Sequence, residues 1–149
     1  MKLASFDFLL AAFAVASPSL AGSPAAKPLS AARLADLFGG KTWQWSDGGG
    51  YFGMDRVFIG TTRSGGTVSH AAGRWRVTNK GLLCLRAAWR AGAAAPVSST
   101  TCFEHVERGG DIYQRKVGGG DWYVFKHAPT KTDDEFNKLV PGNRLPADQ

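Results

Sequence analysis

Between residues 42 and 127 short runs rich in apolar and aromatic side chains, alternating around Trp43 and Trp45, are interrupted by glycine-rich breaks. Alternation with period two is the pattern of strands that bury one face. It predicts strands over 42–46, 51–62, 67–78, 81–89, 99–107, 111–117 and 122–127. The breaks at 47–50, 64–66, 79–81, 109–110 and 118–121 carry the Gly, Asp and Asn that turns require. Seven strands joined mostly by short turns describe a mainly β fold, a small antiparallel meander closing into a barrel or packing as a sandwich.

The spacing becomes helical at both ends of this run. Leu34, Leu37 and Phe38 share one face of a short helix over 30–38, which Gly39 and Gly40 stop. Near the C-terminus Thr132 and Glu135 stand at capping-box spacing, and Phe136, Leu139 and Val140 follow as an apolar face before Pro141 and Gly142. A second helix is therefore expected there, covering an open end or edge of the sheet.

Residues 1–21 have the pattern of a secretory signal peptide: Lys2, an apolar stretch over 8–16, then Ser19, Leu20 and Ala21. That stretch of nine apolar residues is shorter than the ~20 a membrane span needs. The expected organisation is a signal peptide (1–21), a short tether (22–29), a single β-rich domain (30–143) and a loose tail (144–149). The expected location is periplasmic or secreted, with no transmembrane anchor, no lipid-bearing cysteine and a monomeric state.

Export changes how the two cysteines are read. In an oxidising compartment Cys84 and Cys102 form a disulfide; the other readings are a thiol nucleophile served by His105, or a metal ligand. A three-residue hairpin loop at Asn79, Lys80 and Gly81 then sets the register, with Thr78 facing Leu82 and Trp75 facing Leu85. Trp75, Val77, Leu83, Leu85 and Trp89 share one face, and Arg74, Arg76, Cys84, Arg86 and Arg90 the other. Pairing Cys84 with Cys102 places Phe103 beside Leu83 and Glu104 opposite Leu82.

Charge gives this second face its interest. Lys and Arg number 18 against 12 Asp and Glu, a formal net charge of +6. An exported basic protein meets anionic polysaccharide, lipopolysaccharide or acidic envelope proteins rather than nucleic acid. Arg74, Arg76, Arg86 and Arg90 are the candidate surface for such a partner; the plainer reading is a solvated face. Trp43, Trp45, Tyr51 and Trp122 could stack on sugar rings, although filling the core of a small barrel accounts for them more simply.

Catalytic patterns are missing from the sequence. It contains no G-x-S-x-G, P-loop, H-E-x-x-H or C-x-x-C motif. Glu104, His105 and Asp111 are the residues an enzyme acting on cell-surface polysaccharide or peptidoglycan would use, and Asp121 is a further carboxylate at a turn. No metal or other cofactor is expected. The leading expectation is a non-enzymatic exported domain that binds an envelope component or partner protein. An inhibitor-like or structural protein presenting the loop at 92–98 is a third possibility.

The order of motifs adds a resemblance. Gly40-Lys41-Thr42-Trp43-Gln44-Trp45, Gly48-Gly49-Gly50-Tyr51-Phe52, Gly73-Arg74-Trp75, Leu83-Cys84 and Thr101-Cys102-Phe103 are followed by Ile112-Tyr113-Gln114-Arg115, Trp122-Tyr123-Val124-Phe125 and Lys138-Leu139-Val140-Pro141-Gly142. In this order they resemble the domain of unknown function 995 family of small exported proteobacterial proteins. The resemblance implies an envelope or secreted protein and supplies no catalytic residues.

Overall fold

The computed structural model describes residues 25–146. The expected signal peptide at 1–21 lies outside the described residues. Among the described residues ten strands form one antiparallel sheet: β1 (Lys27–Pro28), β2 (Lys41–Trp45), β3 (Gly48–Phe52), β4 (Val57–Ser64), β5 (Thr67–Val77), β6 (Leu82–Ala91), β7 (Val97–Arg108), β8 (Asp111–Lys116), β9 (Tyr123–Lys126) and β10 (Leu139–Pro141). Their order is β10-β2-β3-β4-β5-β6-β7-β8-β9, with β1 beside β7. The sheet curls into a half-barrel, and helix α1 (Ala31–Phe38) packs its apolar face into the core. The Ser30 hydroxyl caps α1 by accepting the Arg33 N–H at 3.2 Å, and Leu34, Leu37 and Phe38 are buried.

Phe38 sits at the centre of the core. Its ring lies 5.4–5.9 Å from those of Trp43, Phe52, His105 and Phe125. Phe52, Phe58, Phe125, Leu83 and Ile112 are likewise withdrawn from solvent. Each such side chain contributes roughly 1.5–3 kcal/mol by leaving water.

The hairpin register matches the sequence reading: Trp75 faces Leu85, Leu83 faces Phe103, and Cys84 faces Cys102. Gly81 makes the turn at φ +79°, and a Cβ there would stand 2.3 Å from the His105 carbonyl oxygen. That position therefore needs glycine on two counts.

Three strands differ from expectation. The predicted strand over 51–62 is two strands, broken at Gly53 to Arg56. The Gly53 N–H bonds Val57 O, the Asp55 carboxylate accepts the Val57 N–H, and Arg56 turns at φ +69°. Gly48 to Gly50, expected as a turn, lie within β3 and pair with both β2 and β4. A Cβ on Gly50 would lie 2.6 Å from the Phe58 ring, so glycine there makes room for an aromatic rather than for a bend. Lys27 and Pro28 pair with Glu107 and Val106.

The expected C-terminal helix is absent. Its place is taken by a single 3-10 turn (Glu135–Lys138) followed by β10, whose Leu139 and Val140 pair with Trp43 and Thr42. The groups that would have capped a helix are committed elsewhere. Glu135 accepts the Trp43 indole N–H at 2.8 Å and the Lys138 ammonium at 2.7 Å. Asp134 accepts the backbone N–H groups of His127 and Lys131 at 2.9 and 2.8 Å. Beyond β10, Thr42 donates to Gly142 O and accepts the Arg144 N–H, which ties the following residues to the sheet.

Candidate binding face

The strand alternation that buries Trp75, Leu83, Leu85 and Ala87 turns Arg74, Arg76, Arg86 and Arg90 to solvent. Arg74 lies directly opposite Arg86, Arg76 opposite Cys84, and Arg90 opposite His70. The Cys84–Cys102 disulfide crosses the same face toward β7. An open groove of about 480 Å³ beside it is lined by Arg74, Arg76, Arg86, Cys84 and Thr100. Arg74 donates to the Asp55 carbonyl at 3.3 Å. None of the four arginines is within salt-bridge distance of a carboxylate among the described residues. Glu104, the nearest acid on the outer side of β7, is held by Arg115 through contacts of 2.7 and 2.8 Å.

The residues considered for catalysis do not converge. Glu104 and His105 are adjacent on β7 and point to opposite faces, one to the Arg115 ion pair and one into the core. Asp111 accepts the Ala128 N–H at the start of β8. Among the described residues no group of three or more His, Cys, Asp or Glu could hold a metal ion.

His105 is instead the inner end of a polar chain that runs from the core through buried Gln114 to the partly exposed Tyr123. Its Nδ1–H donates to Gly81 O at 3.3 Å, its Nε2 accepts from the Gln114 amide at 2.6 Å, and Gln114 Oε1 accepts the Tyr123 hydroxyl. Every side-chain nitrogen and oxygen of His105 and Gln114 then has a hydrogen-bond partner, which is what allows these two groups inside. Burial holds the imidazole pKa down at about 4, outweighing the bond to Gly81. Burial and the nearby Glu135 carboxylate push the Tyr123 phenol up to about 12. The sequence gives no sign of this chain, because each member sits on a different strand or at a different register.

The pairing of His127 with Asp134 was also not evident from sequence. Their Nδ1 and Oδ1 atoms are 2.5 Å apart. Burial pushes the Asp134 pKa up, but the His127 ring and the two backbone donors outweigh it and hold it at about 2. Asp134 thereby organises the loop from His127 to the 3-10 turn.

The aromatic residues divide. Trp43 is buried, Trp45 packs against Trp89, Tyr51 is half-buried, and Trp122 lies under the Arg115 guanidinium at 4.6 Å. They form no common stacking platform. Arg56, a residue without a sequence signal, stacks on Trp75 at 4.2 Å from the ring centre.

Residues 7–145 match the family described as Protein of unknown function (DUF995). The chain belongs to this family. No curated protein and no solved structure matches it. Membership in DUF995 agrees with the motif order, and no residue role comes with it. Among the described residues no helix is long and apolar enough to cross a membrane.

Proposed function

We propose that this DUF995 protein is an exported binding domain, without catalysis of its own, that holds an anionic envelope component or partner on the outer face of β5 and β6. The observation that carries this reading is the direct cross-strand pairing of Arg74 with Arg86, with Arg76 beside them and no carboxylate in salt-bridge contact among the described residues. Like charges directly opposite in a sheet destabilise it, by up to about 1 kcal/mol. A bound anion would remove that repulsion and neutralise all three guanidinium groups at once. Arginine suits the task because its planar fork grips carboxylate, sulfate or phosphate through two parallel hydrogen bonds.

The test is association of the folded protein with the cell-envelope fraction. The variant carrying Arg74→Glu, Arg76→Glu, Arg86→Glu and Arg90→Glu should keep the circular dichroism of the wild type and bind at least tenfold less. Wild-type association should also fall as salt is raised. Envelope association unchanged by the reversal would overturn the reading.

A further inference from the structure

Strand β7 is longer than its neighbour on one side. Its residues 103–108 pair with β8, whereas 97–101 pair with β6 alone. The Val117 N–H still reaches Cys102 O at 2.9 Å; then Gly118 and Gly119, at φ +89° and +151°, turn the chain away.

The register identifies the backbone groups left over. The Thr78 N–H bonds Leu82 O, so even-numbered residues of β6 bond toward β5 and odd-numbered ones toward β7. The Cα atoms of Cys84 and Cys102 are 4.1 Å apart, the close spacing of a pair that exchanges no hydrogen bonds. It follows that Val97, Ser99 and Thr101 bond to β6, while Ser98 and Thr100 direct N–H and C=O outward. Those four groups have no partner among the described residues. Residues 97–100 are all exposed, Val97 by 69%. The usual protections of an edge, a lysine, a proline or a bulge, are missing from 97–101.

We infer that an extended acidic polypeptide segment docks here as an added strand, along the line that β8 leaves. The inference rests on the anion-binding reading above and names its partner as a peptide. Backbone pairing accepts any extended chain, and charge selects among them. Thr100 lies opposite Arg86, and both line the groove that also holds Arg74 and Arg76. A residue docked beside Thr100 would stand two strand spacings, roughly 10 Å, from the backbone of Arg86. An arginine and an acidic side chain together span that distance, and the short Ser98 and Thr100 between them leave the way open. A second copy of this chain fits poorly, since it would bring its own arginine row and a charge of +6.

The probe is a capped seven-residue peptide, Thr-Asp-Val-Asp-Val-Asp-Thr, with dextran sulfate as the polysaccharide comparison, each titrated into folded protein. The peptide should slow amide hydrogen exchange at Ser98 and Thr100 at least tenfold and leave Ser99 and Thr101, already bonded to β6, unchanged. Ser98→Pro removes one outward N–H without removing a bond of the β6 ladder, and Ser98 does not line the arginine groove; it should weaken peptide binding at least tenfold, leaving dextran sulfate unaffected. Arg86→Glu should weaken both. Peptide binding without protection at Ser98 and Thr100, or binding of dextran sulfate alone, would overturn the added strand and leave the arginine face standing. Indifference of both probes to Arg86→Glu would overturn the arginine face itself.

Discussion

At the scale of single residues, His105 makes the clearest energetic statement. Its ring packs between Phe38 and Phe125 with centroids 5.5 and 5.8 Å away, and it titrates near 4 in the fold against an ordinary value of 6.5. Between those two pH values the unfolded chain binds the proton more readily than the folded one. Stability therefore falls as pH drops from 6.5 toward 4, by about 3 kcal/mol in all. Urea unfolding across that range should show this slope, and His105→Gln should flatten it while lowering stability at neutral pH. Persistence of the slope in the variant would place its origin elsewhere. Trp75 and Arg76, neighbours on β5, provide the contrast between the two faces. Trp75→Ala should cost about 3–5 kcal/mol through the cavity it leaves, aggravated by loss of the indole bond to Gly53 O at 2.9 Å. Arg76→Ala should stay within about 0.5 kcal/mol. Silent Trp75→Ala with a disruptive Arg76→Ala would mean that the faces are reversed.

At the scale of elements, the hairpin from β5 to β6 was legible because its information is local. Asn79, Lys80 and Gly81 fix the turn, and the turn fixes which side each later residue takes. The disulfide carries that register across to β7. Replacing both Cys84 and Cys102 with Ser should lower stability by about 3 kcal/mol, measurable as a shift of the urea midpoint against the wild type. What sequence misplaced depends on distant partners. Glycines 48–50 look like a turn until Phe58 on β4 is seen to fill the space above Gly50. Leu139 and Val140 suit a helix face, yet β2 offers them a ladder, and Trp43 takes the Glu135 carboxylate that a helix cap would need. Local propensity lost to tertiary pairing in both places. Gly50→Val should therefore destabilise the fold by more than its β propensity gains, through contact with Phe58 and Trp45.

At the scale of the whole molecule, the half-barrel fills its interior mainly with aromatic packing and carries its arginine row outside. Glu104, His105 and Asp111 could be picked out in the sequence, but only the fold separates them. The arginine row could be read from alternation once the turn at Asn79 to Gly81 set the register, whereas the open edge of β7 required knowing where β8 stops. If the chain is exported as its first 21 residues suggest, the intact mass of the secreted form should begin near Gly22; unprocessed chain in the membrane fraction would contradict that. The central claim is that charge on one face, rather than the overall excess of +6, selects the ligand. The most direct measurement is a nitrogen-edited NMR titration of the folded protein with dextran sulfate. The account predicts shift changes concentrated at Arg74, Arg76, Arg86 and Thr100, saturating together. Changes spread equally over Lys27, Arg33, Lys116 and Lys126 would contradict it.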